Sequence, residues 1–178
     1  MGNPSSLQGV QVVARMRPLM VRPLVLAAFV VLLGCGKEIG DSCVLSTDCD
    51  PNGNRFCDTD PVDGYCTILG CDYDTCPTEA ECVRFFTGDF SNELCTQGQS
   101  PDGCNLDELC DLTGHCVPRD SEIRYCMRTC KSNGDCRSGY ECRNYALMIT
   151  HGGEPVLAPG DIVDTTTPGF CALAPASN

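Results

Sequence analysis

Seventeen of the 178 residues are cysteine. Thiols can attack as thiolates or exchange redox equivalents, ligate soft metals, or oxidise to disulfides. Their spacing separates these uses. No C-x2-C pair occurs in the chain, so neither a thioredoxin-like redox motif nor the usual zinc-site pairing is present. Sixteen of the seventeen lie between Cys43 and Cys171, an even number, and Cys35 stands apart. In an oxidising compartment sixteen thiols pair completely and leave one for other chemistry.

Other reactive groups are sparse. In DCDPNGN, Asp48, Asp50, Asn52 and Asn54 alternate around Gly53, the oxygen spacing and turn glycine of a calcium loop. Thr59 stands where the bidentate Glu would close that loop, Pro51 stiffens it and Cys49 ties it down. A solvated acidic turn is therefore the better reading, with structural calcium at these four residues the alternative. The two histidines, His115 and His151, fall in a turn and at an expected hairpin tip, without G-x-S-x-G, H-E-x-x-H or a phosphate-binding glycine loop. The carboxylate pairs Glu79/Glu81 and Asp107/Glu108 have little depth in a small scaffold to shift their pKa values. No catalytic residue is assigned, and the chain is not expected to be an enzyme.

The N-terminus explains the compartment. Residues 1–34 contain no acid, carry Arg15, Arg17 and Arg22, and run through LVLAAFVVLL to Gly34. That is a basic segment, a ten-residue apolar segment and a small residue at the cut, hence a signal peptide, too short in its apolar part to span a bilayer. Met16 and Met20 would each start a complete signal, so the first residues read as an overextended start. Leu32, Leu33, Gly34 and Cys35 resemble the bacterial lipobox. The resemblance implies diacylglyceryl transfer to the Cys35 thiol, cleavage before it and acylation of the new terminus. Two or three acyl chains anchor stably where one does not, at ~0.8 kcal/mol per buried CH₂. Gly36 and Lys37 follow, with no Asp beside the cysteine to suggest inner-membrane retention. The expected location is the bacterial cell envelope, lipid-anchored in the outer membrane. Residues 35–42 would be the lipidated linker.

The remaining cysteines repeat. Cys43, Cys49, Cys57 and Cys66 are separated by 5, 7 and 8 residues, and Cys71, Cys76, Cys82 and Cys95 by 4, 5 and 12. Cys104, Cys110, Cys116 and Cys126 follow with 5, 5 and 9, then Cys130, Cys136, Cys142 and Cys171 with 5, 5 and 28. Gly53, Gly114 and Gly139 precede the third cysteine of three units, where a positive φ would permit a tight turn. CKSNGDCRSGYEC and CVLSTDC resemble the cysteine-rich repeats of bacterial lipoproteins of the myxobacterial type, which look like EGF or Dickkopf N-terminal modules. That resemblance spans Cys43 to Cys142 and implies architecture, with no catalytic residue and no ligand. Sixteen cysteines allow roughly two million pairings, so connectivity stays open; first-to-third and second-to-fourth within each unit is the working expectation.

Composition demands these staples. From Gly36 onward only 25 of 143 residues are Leu, Ile, Val or Phe, beside nine bases against 24 acids. So little aliphatic surface does not repay chain entropy without cross-links. The fold class is therefore small and disulfide-rich, mostly irregular with short β-hairpins, an array of four 4-Cys units with little helix outside the signal peptide. Residues 43–95 would hold repeats 1 and 2, and residues 104–178 repeats 3 and 4 with a long C-terminal arm. Turns are expected at DPNG, DPVDG, SPDG and SNGD, helical turns at Thr78–Val83 and Asn105–Cys110, and a core strand in VRFFTGDF. The arm Arg143–Phe170 reads as an irregular, proline-limited hairpin.

Charge is uneven: Glu38–Pro118 holds 17 acids against Arg55 and Arg84, whereas Arg119–Arg143 holds six bases against four acids. Nucleic acid is an unsuitable partner for so acidic a chain. A basic face meeting lipopolysaccharide, peptidoglycan or an acidic protein is one reading, and acids that merely keep an exported protein soluble the plainer one. The expected function is a non-catalytic envelope lipoprotein that presents a rigid protein-interaction or adhesive surface. A structural envelope component without a discrete ligand, or an accessory subunit or inhibitor of an exported enzyme, are the alternatives.

Overall fold

The computed structural model describes residues 36–88, 93–99 and 102–176. Its repeating element is an antiparallel strand pair in which two cysteines stand opposite each other. Strands β1 (Phe56–Asp58) and β2 (Tyr65–Thr67) place Cys57 against Cys66. Strands β3 (Ala80–Phe86) and β6 (Glu122–Cys130) place Cys82 against Cys126. Between them in sequence, β4 (Glu108–Cys110) and β5 (Cys116–Pro118) place Cys110 against Cys116. Strands β7 (Tyr140–Arg143) and β9 (Gly169–Leu173) place Cys142 against Cys171. With β8 (Glu154–Pro155), the longer strands form one five-stranded sheet in the order β7-β9-β6-β3-β8, flanked by the two small hairpins.

All sixteen cysteines from Cys43 to Cys171 are paired in eight bridges. The first and last units follow the expected pattern, Cys43–Cys57 with Cys49–Cys66 and Cys130–Cys142 with Cys136–Cys171. The middle two exchange partners: Cys71–Cys82 goes with Cys76–Cys126, and Cys104–Cys116 with Cys95–Cys110. Cys95 therefore opens the third unit and Cys126 closes the second. The third unit is inserted between the strands of the second, and the ends of the insertion meet where the Thr87 amide donates to the Ser121 carbonyl at 3.0 Å. No boundary falls between residues 95 and 104, because the Cys95–Cys110 and Cys76–Cys126 bridges both cross it. Six bridges close short loops, with sequence separations of 11 to 17; loop closure of this size is worth ~3 kcal/mol in the chain-entropy account.

The residue before a second cysteine has a defined task. Asp48 accepts the Val44 and Leu45 amides at 2.9 Å each, starting helix α1 (Ser46–Cys49). Asp135 repeats this with the Lys131 and Ser132 amides, both at 2.9 Å. In the second unit Thr75 substitutes, its hydroxyl accepting the Asp72 amide at 2.8 Å. The glycines behave as the turn chemistry requires, with φ of +81° at Gly53 and Gly114 and +84° at Gly139.

Several local expectations are corrected. Thr78–Val83 and Asn105–Cys110 are not helical turns: they lead into β3 and β4, because each must pair its cysteine with a distant partner strand. Within VRFFTGDF, Val83–Phe86 is strand with Val83 fully buried, while Asp89 and Phe90 lie outside the described residues. The arm after Arg143 begins as helix α2 (Tyr145–His151) rather than as a hairpin. Asn144 caps it by accepting the Leu147 amide, Ala146, Leu147 and Met148 favour helix, and Met148 is buried. Residues 36–42 are not a free linker. Ile39 is 0% exposed within the core, the Gly40 amide donates to the Cys66 carbonyl, and Arg128 binds Glu38 at 3.0 Å. Burial of Ile39 in the main core cluster ties this segment to the body.

Candidate functional site

Below the five-stranded sheet's central strand the edges diverge. Over Arg124–Cys126, β6 is bonded on one side by the Ile68–Gly70 segment, through Gly70 N to Arg124 O and Cys126 N to Ile68 O, both 2.9 Å. At Thr129 and Cys130 the same edge is taken by β9. The gap between these partners is a cleft of about 320 Å³, lined by Tyr65, Thr67, Phe85, Tyr125, Met127 and Tyr140 together with the charged Asp58 and Arg143. That volume is at the lower end of small-ligand pockets, and predominantly aromatic walls with few polar groups suit recognition.

The walls are held from several units. Tyr65 and Tyr140 stack with centroids 5.4 Å apart, and Phe85 meets Tyr125 edge to face at 6.2 Å. Tyr65 is fixed at its tip, donating to the Cys171 carbonyl at 3.2 Å and accepting the Arg128 amide at 3.1 Å; burial drives its hydroxyl pKa far upward. The Arg137 guanidinium lies 4.1 Å over the Tyr140 ring and donates to its hydroxyl. Arg143 ties three elements together, binding Glu141 at 3.0 Å, the His151 and Gly152 carbonyls that end α2, and the Leu173 carbonyl. The Tyr125 hydroxyl, by contrast, has no hydrogen-bond partner among the described residues, and its pKa is raised by burial and then by Asp58 and Asp60. It is the wall's available polar group.

The residues singled out in the sequence lie elsewhere. Cys35 and the leader fall outside the described residues. Asp48 and Asp50 each bind backbone amides of their own turns. Asp48 caps α1, and Asp50 accepts the Asn52 amide at 2.8 Å and the Asn54 amide at 3.0 Å. Both carboxyls are lowered by these amide bonds, chiefly from Leu45 and Asn52. His115 contacts Thr113 at 2.9 Å, and His151 contacts Glu141 at 2.7 Å at the end of α2, not at a hairpin tip. Glu79 pairs with Arg55 at 3.0 Å, whereas Glu81, against expectation, is deep enough that burial raises its pKa to about 8. Of the six bases of Arg119–Arg143, three are ion-paired among the described residues: Arg124 with Asp72 and Glu122, Arg128 with Glu38, and Arg143 with Glu141.

Sequence reasoning missed the cleft, though a signal existed. In the true units each fourth cysteine follows a ring-bearing residue: Tyr65 before Cys66, Tyr125 before Cys126, His115 before Cys116 and Phe170 before Cys171. Two of these rings line the cleft, and Phe170 supports Phe85 at 6.0 Å. Among the described residues no helix is long and apolar enough to cross a membrane. No family model, curated protein or solved structure matches the chain.

Proposed function

We propose that this chain is an exported, lipid-anchored envelope protein that binds a partner, without catalysing a reaction, through a rigid surface centred on the aromatic cleft. The observation that carries the reading is the sulfur accounting. Every cysteine from Cys43 to Cys171 is consumed in a bridge, which leaves Cys35 of the lipobox-like segment as the remaining one. Pervasive oxidation belongs to an exported protein, and a thiol directly after Gly34 is the lipid acceptor. The bridged body then holds the cleft's rings without the entropy cost of ordering them on binding.

Intact mass of the protein extracted from membranes, before and after reduction, tests the anchor and the bridges together. The expected mature chain starts at Cys35, carries two or three acyl chains and reveals eight bridges on reduction. An unacylated species released to the medium, or many titratable thiols in a folded protein, would refute the reading. Tyr125→Ser removes the cleft's available hydroxyl and a wall ring; saturable binding to isolated envelopes should weaken at least tenfold while all bridges still form.

A further inference from the structure

We propose that the tip formed by residues 36–37 and 42–45 seats the body directly on the bilayer, with Val44 and Leu45 inserted among the lipids beside the anchor. The inference rests on the lipidation of Cys35 and adds where the body goes. Only Gly36, Lys37 and Glu38 separate Cys35 from the buried Ile39, and consecutive Cα atoms are ~3.8 Å apart. Those three residues are themselves engaged: a Cβ on Gly36 would stand 3.0 Å from the Cys49 carbonyl, Arg55 donates to the Lys37 carbonyl, and Glu38 binds Arg128. A lipid-bearing residue one position from a packed backbone leaves the body no tether.

The same tip exposes the apolar side chains that such contact calls for. Lys37 Nζ donates to the Ser42 carbonyl at 2.6 Å, bringing the start of the body against the 42–45 loop. There Val44 and Leu45 are 78% and 63% exposed, in a chain where aliphatic residues are scarce. Their amides are both held by Asp48, so the pair projects from a fixed loop. Apolar side chains beside an acyl anchor add membrane affinity through the same burial that holds the acyl chain.

The chain lacks tryptophan, so Leu45→Trp and Leu106→Trp each supply a single reporter; Leu106 is 99% exposed and lies in the inserted third unit. The oxidised chain beginning at Cys35 is coupled through that thiol to a two-chain maleimide phospholipid and bound to phosphatidylcholine vesicles with brominated acyl chains. Chemical coupling makes the outcome independent of whether cells acylate Cys35. Fluorescence of the Leu45→Trp protein should shift blue and be quenched severalfold, with that of the Leu106→Trp protein unchanged. Equal, water-like emission from both variants would overturn the proposal. So would a blue shift of the Leu45→Trp protein that appears without vesicles and grows with protein concentration, which would assign the tip to a second copy. On a single-chain conjugate of the native-tip sequence, Val44→Ser with Leu45→Ser should speed vesicle dissociation at least tenfold; an unchanged rate would also overturn it.

Discussion

Glu81 offers a quantitative test of how the core is built. It lies on β3 opposite Met127 of β6, its Oε1 is buried without a hydrogen-bond partner, and burial alone pushes its pKa from 4.5 up to about 8. The folded state thus keeps the carboxyl protonated over a range in which the unfolded chain ionises it. The resulting stability is fully present below pH 4.5 and is lost as pH rises to 8, beyond which both states are charged. At 1.36 kcal/mol per pH unit, the loss reaches at most about 3 kcal/mol by pH 7. Glu81→Gln keeps the size and removes the titration. Guanidinium unfolding with bridges intact, run from pH 4 to pH 8 on both proteins, isolates this group because the other acids cancel in the difference. The variant should gain on the native sequence steadily above pH 4.5 and level off near pH 8. Parallel stability curves would refute the reasoning, since they would mean that the carboxyl ionises in place at no cost.

Removing the insertion tests the nested arrangement: with residues 88–120 replaced by a short Gly-Ser turn, Thr87 and Ser121 still meet, and non-reducing peptide maps should recover the six other bridges, Cys76–Cys126 among them. Gly64→Ala would set a Cβ 2.2 Å from the Cys43 carbonyl, whereas Gly53→Ala meets nothing within 4 Å and bears only the strain of φ +81°. The first should lower stability by several kcal/mol or misdirect Cys43 oxidation, the second by about 1 kcal/mol, as read by denaturation and disulfide mapping. Asp48 and Asp50 already accept four amide hydrogens, so millimolar calcium should leave Tm unmoved; a clear rise would show that the cation displaces those bonds.

What the sequence disclosed about this fold was local. The first-to-third bridges and the positive-φ glycines act over short stretches of chain, where spacing constrains geometry directly. The fourth cysteine obeys no such constraint. Cys66 and Cys116 follow the third cysteine of their units after 8 and 5 intervening residues, but Cys126 and Cys171 after 43 and 28. Counting cysteines in order therefore assigns Cys95 to the wrong unit. The ring-then-cysteine signature corrects it, because Leu94 precedes Cys95 while Tyr125 precedes Cys126. Helix α2 is legible in Asn144 and Gly152 but is outweighed by the prolines downstream of it. The cleft is legible only through that ring signature, since Tyr65, Tyr125 and Tyr140 belong to three different units and Tyr65 stands on the separate β1-β2 hairpin.

That placement follows from the repeat's own logic. A unit needs only its two bridges and a strand pair, so the chain between its third and fourth cysteines is free to lengthen without disturbing the staples. In the second unit that arm carries a whole further unit, and in the fourth it carries α2 and β8. The long arms let β3, β6, β7 and β9 join one sheet. In the second unit the ring before the fourth cysteine, Tyr125, reaches the sheet's divergent edge on such an arm, where it lines the cleft with Tyr65 of a short hairpin and Tyr140 of the fourth unit. In a chain with so few aliphatic residues, covalent closure supplies the rigidity and leaves aromatic side chains to line the cleft. What the cleft needs from the second unit is the pairing of β3 with β6, which the insertion between Thr87 and Ser121 leaves undisturbed.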